Sequence, residues 1–147
     1  MKKYLSIILI LSLSIYCFAS SPQKKNTKPK SPKTYGQVVI AEVTSIYDGD
    51  TFRCNIKDYP SIVGERIPIR INGIDCPEMK DNREEVKQLA RRAKQFTVGK
   101  SRGAKVISLK NMQRGKYFRI VADVDIDGQN LGKLLIQEGC GFSFAGQ

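Results

Sequence analysis

Apolar and polar residues alternate along several stretches of this chain, and each alternation predicts a β-strand. From Gln37 to Tyr47 the sequence is rich in Val, Ile and Thr, then meets Asp48-Gly49, a tight-turn signal before a second short strand over Thr51–Ile56. Asp58 to Gly64 is expected to be a loop. From Arg66 to Asn72, Ile67, Ile69 and Ile71 share one face while Pro68, Arg70 and Asn72 share the other. With the isoleucines inward, Arg70 points outward, and Gly73 allows a turn before Asp75. A further strand is expected over Ala104 to Leu109. Tyr117 to Ile126 alternates again, with Phe118, Ile120, Ala122, Val124 and Ile126 inward and Tyr117 and Arg119 outward.

The period changes between these strands. Over residues 83–98, Val86, Leu89, Ala90, Ala93, Phe96 and Thr97 fall on one helical stripe; Asn82 with Glu85 offers a capping box, and Gly99 a stop. After the Asp127-Gly128 turn, Asn130 is placed to cap a short helix, Leu131 to Glu138, ended by Gly139. Phe142 and Phe144 are expected in the core. The order is three strands, helix, two strands, helix. It predicts a five-stranded, partly open β-barrel with helices, the OB-fold arrangement. Arg70 and Arg119 then share the outer, groove-facing side of neighbouring strands.

The N-terminus has a pattern of its own. Lys2 and Lys3 precede an apolar run from Ser6 to Tyr16, and small residues follow at Ala19, Ser20 and Ser21. This reads as a secretory signal over residues 1–21, too short for a membrane span. A cleaved signal is preferred to an uncleaved anchor or to lipidation at Cys17, because Tyr16 is a poor residue before a lipidated cysteine. Residues 22–36 form a basic Pro/Lys-rich linker, carrying Lys24, Lys25, Lys28, Lys30 and Lys33 with no acid. Residues 37–147 remain for one domain with one core. The expected location is therefore secreted or periplasmic. The chain's formal charge of +11 is concentrated in these leading segments, and it favours anionic polymers without conferring specificity.

Composition narrows the chemistry. The chain has no histidine, which removes histidine-based ribonucleases, serine–histidine hydrolases and most zinc enzymes. Cys54, Cys76 and Cys140 would survive processing, an odd count that allows at most one bridge, and no CxxC pair is present. What remains are carboxylates and arginines. Asp48-Gly49-Asp50-Thr51, Arg70 with Asp75-Cys76-Pro77-Glu78, and Lys116-Tyr117-Phe118-Arg119 supply two carboxylates for a hard cation, a third for water and two guanidinium forks for phosphate. Asp48 is read as a turn-former rather than a ligand. Asp123-x-Asp125-x-Asp127-Gly128 imitates half an EF-hand loop, but its twelfth position is Leu134 instead of glutamate. Asp50 with Glu78-x-Lys80 imitates a restriction-type site, which ordinarily sits on a mixed sheet that this strand order does not suggest.

The set Asp-Gly-Asp-Thr, Arg-x4-Asp-x-Pro-Glu, helix, Lys-Tyr-x-Arg resembles the staphylococcal nuclease (thermonuclease) family over roughly Val38 to Gly141. The resemblance implies that Asp50 and Asp75 ligate Ca2+, preferred here to Mg2+, with the backbone carbonyl of Cys76 standing where the family has threonine. It implies that Arg70 and Arg119 face the scissile phosphate, that Glu78 lies near the attacking water, and that Lys116 and Tyr117 contact a terminal phosphate. Phe118 replaces a family glycine, and the family's C-terminal third helix is not expected here. The implied activity is a metal-dependent endonuclease acting on single- or double-stranded DNA and RNA and leaving 3′-phosphates. Such an enzyme is expected to be a monomer without a stable protein partner. The alternative is a non-catalytic OB-fold module that binds nucleic acid or another polyanion.

Overall fold

Strands β1 (Val38–Ile46), β2 (Thr51–Ile56) and β3 (Ile67–Ile71) form an antiparallel meander in which β1 and β2 are joined by the Asp48-Gly49 turn. Tyr47 and Asp48 both donate backbone N–H groups to the Thr51 carbonyl, at 2.9 and 3.2 Å, which closes that turn. A computed structural model describes residues 33–144; the expected signal and most of the expected linker lie outside the described residues. Among the described residues no helix is long and apolar enough to cross a membrane.

After β3 come a two-residue strand β4 (Ile74–Asp75), helix α2 (Glu84–Gly103), β5 (Ile107–Arg114) and β6 (Ile120–Ile126). The chain continues through β7 (Gln129–Asn130), helix α3 (Leu131–Gln137) and β8 (Phe142–Ser143). A single helical turn, α1 (Ser61–Gly64), interrupts the expected loop between β2 and β3. β5 pairs with both β1 and β6, and β6 pairs in parallel with β3 through Ile69–Ile120 and Ile71–Ala122. The expected barrel is thus closed rather than partly open. It is a five-stranded OB-fold, and no helix follows α3 among the described residues.

The core follows the alternation. Phe52, Cys54, Ile69, Ile71, Leu109, Ala122 and Val124 are buried inside the barrel, with Leu131 and Leu135 of α3 on the same cluster. Asn130 caps α3 as expected, its side chain accepting a 2.9 Å hydrogen bond from Lys133 N. Helix α2 buries Ala90, Ala93 and Thr97, but Leu89, assigned to the same stripe, is exposed.

Several boundaries differ from the sequence reading. α2 passes through Gly99 to Gly103, because a glycine within a helix costs only about 1 kcal/mol relative to alanine. Lys100 and Arg102 in its last turn complement the helix dipole. The Asn82–Glu85 capping box is not formed; Arg83 is the cap residue and donates its backbone N–H to Asp81 Oδ1 at 2.8 Å. β5 begins at Ile107 and runs five residues beyond Leu109. β6 begins at Ile120, after a turn in which Tyr117 and Phe118 adopt φ of 57° and 61°. Phe118 is consequently 87% exposed rather than inward. Phe142 and Phe144 are also exposed, since β8 pairs with β4 at the surface instead of entering the core. Tyr35, in the expected linker, forms a bridge with Met112 on β5.

Candidate active site

Three separate pieces of chain converge at the end of the β1–β2 turn. Asp50 is almost completely buried, and every strong partner of its carboxylate comes from a neighbouring segment or residue. Oδ1 accepts from Thr51 Oγ1 at 2.8 Å and from Arg70 Nη1 at 3.0 Å, while Oδ2 accepts from the Cys76 backbone N–H at 2.9 Å. The other terminal nitrogen of Arg70 is hydrogen-bonded to Asp75 Oδ1. One guanidinium therefore spans two carboxylates, Asp50 inside and Asp75 at the surface.

Local structure explains the convergence. Thr51 pairs with Arg70 across β2–β3, and Ile71 N donates to the Asp50 carbonyl at 2.9 Å, so the ladder fixes the arginine beside the turn. Gly73, with φ of 72°, reverses the chain after β3 and returns it as β4. The short ladder between β4 and β8 pairs Asp75 with Phe142 and holds this return. Asp48 acts as the expected turn residue and does more: its Oδ1 accepts from Met79 N at 3.1 Å, tying the segment that carries Glu78 to the same turn. Gly49 is needed for close packing rather than for a left-handed backbone. A Cβ there would lie 2.7 Å from the Cβ of Ala93 on α2.

The cluster's electrostatics are unbalanced. Two carboxylates share one guanidinium, and burial pushes the Asp50 carboxyl above its ordinary value despite Arg70, the Cys76 N–H and Thr51 acting in the opposite direction. Excess negative charge in a desolvated place, on hard oxygen donors, suits a hard cation. Among the described residues no three Asp, Glu or Cys side chains converge on one point, so the protein would supply only part of a coordination shell. Burial also pushes the Cys76 thiol up to about 12, so the residue offers a neutral thiol and a carbonyl oxygen.

The remaining expected residues lie in the segment after β4 and in the β5–β6 turn. Glu78 is exposed in the segment after β4. Arg119 stands immediately before β6, the strand paired in parallel with the Arg70 strand, one position ahead of the Ile69–Ile120 pair. It is half-buried, and its Nε is buried without a hydrogen-bond partner among the described residues. Lys116 and Tyr117 lie in the exposed β5–β6 turn, and Tyr117 is 93% exposed.

The misleading motifs resolve as structure. Asp123 accepts from Asn72 and Asn111, Asp125 from Lys110 and Gly128 N, and Asp127 from Lys105 N and Val106 N. They pin a strand and its turn, not an EF-hand. Lys80 sits with its ammonium 5.7 Å from the Tyr47 ring centroid, on an OB-fold barrel rather than a restriction-type sheet.

A family model described as staphylococcal nuclease homologue matches residues 68–145. The chain belongs to the staphylococcal nuclease family. Among curated proteins none matches it. The matched span begins in β3 and includes Arg70, Asp75, Cys76, Glu78, Lys116, Tyr117 and Arg119, while Asp50 lies before it. In this staphylococcal nuclease homologue, Asp50 joins the others through tertiary contact. Membership suggests nuclease action on nucleic acid in general. Sequence reasoning placed the two aspartates and Arg70 in separate roles and missed their common hydrogen-bonded cluster, for which strand register was the only available signal.

Proposed function

We propose that this protein is an exported, Ca2+-dependent endonuclease that hydrolyses DNA and RNA to 3′-phosphate products. The observation that carries the reading is Arg70 held between Asp50 and Asp75, a phosphate-binding fork stored beside two hard-oxygen donors. Asp50, Asp75 and the Cys76 carbonyl would hold the ion. When bound, Ca2+ supplies positive charge that stabilises the phosphoryl oxygens during attack.

The chain's own residues would do the rest. Arg70, released from one carboxylate as a phosphate arrives, donates to its oxygens. Arg119, whose Nε lacks a partner among the described residues, donates from the position just before β6, and each such donor contributes roughly 3–4 kcal/mol to transition-state stabilisation. Glu78 orients or deprotonates the attacking water from its exposed loop. Lys116 and Tyr117 contact a terminal phosphate from the β5–β6 turn. Export rests on reading residues 1–21 as a cleaved signal, and N-terminal sequencing of the mature protein should begin after Ala19 or Ser21.

The purified chain incubated with single-stranded DNA tests the reading. Cutting should require Ca2+, stop with chelator, leave 3′-phosphates, and fall about 100-fold or more in Glu78→Ser and in Arg119→Ala. Absence of cutting by a folded protein that still binds DNA in a salt-sensitive way would assign it instead as a non-catalytic OB-fold module.

A further inference from the structure

The face of the barrel beyond Arg119 carries a second feature that the phosphate chemistry does not use. A cavity of about 370 Å³ opens between the α1 loop and the β5–β6 turn, lined by Tyr35, Tyr59, Ile62, Val63 and Phe118 among others. Its volume is in the range of small-ligand pockets. Among the described residues, the charged ones lining it are Arg114 and Arg119, and no acidic side chain lines it.

The walls are exposed yet held in place. Ile62 is 91% exposed, so nearly all of its side chain is open to a ligand. The loop that presents it is tied down at both ends: Val63 N donates to the Pro60 carbonyl at 2.9 Å, Glu65 N to the Ser61 carbonyl at 3.1 Å, and Arg66 N to Asn55 Oδ1 at 2.9 Å. Gly64 permits the fold-back, since a Cβ there would stand 2.7 Å from the Tyr59 Cβ. On the opposite wall, Phe118 keeps a left-handed backbone that a glycine would adopt without strain. Strain retained at one side chain is a mark of function when that side chain faces a site. The Arg114 guanidinium lies 6.0 Å from the Phe118 ring centroid and braces it.

We propose that this pocket is a nucleobase subsite for the substrate strand, receiving the base of a nucleotide that flanks the phosphate held by Arg119. The inference rests on the nuclease reading for its substrate, and on the pocket itself for its location. Flat aromatic walls match the π-face of any base, and the two arginines match the phosphates on either side of it. Arg119 belongs to both sites, so a base seated here would place its adjoining phosphate at the guanidinium. An apolar peptide would find aromatic walls but no use for two arginines that form no ion pair among the described residues.

Short single-stranded DNAs with one ordinary phosphodiester among cleavage-resistant phosphorothioates, and with an abasic position moved stepwise away from it, test the subsite. Wild-type kcat/KM should fall about 10-fold when one particular flanking base is removed. In Tyr59→Ala the same removal should have almost no effect, and Tyr59→Phe should restore the sensitivity. Ile62→Asp, at a position too exposed to threaten folding, should also abolish it. Full sensitivity in both Tyr59→Ala and Ile62→Asp would overturn the proposal. If the wild type does not cut at all, the nuclease reading fails separately. Anisotropy with the same strands, labelled and without Ca2+, then decides the subsite: a roughly 10-fold preference for the intact strand that vanishes in the variants supports it, and equal affinities overturn it.

Discussion

Asp50 shows how a single side chain can serve function at a cost to the fold. Its carboxylate has an arginine, a hydroxyl and a backbone N–H, yet burial still raises its pKa, so the charged form is harder to hold in the folded chain than in the unfolded one. The sign follows from linkage. Above the ordinary carboxylate value the unfolded chain has released this proton while the folded chain retains part of it, so stability falls as pH rises through the interval up to the raised value. Asp50→Asn removes that penalty. In chelator at pH 7 the variant should melt at a higher temperature than the wild type, with the gap narrowing as pH falls below the carboxylate range. Nuclease activity should be lost. Thermal melts across pH beside a cleavage assay check both, and a variant less stable than wild type at pH 7 would contradict the account.

At the scale of elements, the β5–β6 turn is where the strand alternation stops being informative. Phe118 continues the inward pattern of Ile120 and Ala122, but the turn places it and Tyr117 at positive φ and sends both to solvent. A left-handed L-residue costs about 1–2 kcal/mol, part of which a glycine returns through its unfolded-state freedom. Phe118→Gly should therefore stabilise the protein by about 1 kcal/mol, raising Tm by about 4 °C, while weakening binding of single-stranded DNA through loss of a pocket wall. A calorimetric scan and a binding titration on the same sample separate the two effects. Loss of stability would mean that the ring packs more than its exposure indicates.

At the scale of the whole molecule, the site depends on how α2 is held against the barrel. Thr97 is fully buried, and its Oγ1 donates to the Gly49 carbonyl at 2.6 Å, locking the helix to the turn that presents Asp50. Thr97→Val keeps the shape and leaves that carbonyl without its partner, which costs about 1–3 kcal/mol. The urea midpoint should drop with an unchanged m value. A changed m would indicate instead that the barrel and helix no longer unfold together.

The sequence by itself determined the local periods and the chemistry. Ile67, Ile69 and Ile71 placed Arg70 outward, Asn130 marked its helix, and the absence of histidine left only carboxylates and arginines to act. These were legible because each depends on neighbours within one strand or one helical turn. Tertiary structure alone decided that Asp50 and Asp75 share Arg70, that β3 and β6 close the barrel, that Gly99 lies within a helix, and that Phe142 and Phe144 remain outside the core. Each of those outcomes is a competition between a weak local preference and contacts from residues distant in the chain. A buried ion cluster, a parallel strand pairing and a solvent-facing aromatic have no period to announce them, because their stability or strain exists only once the distant segments have met.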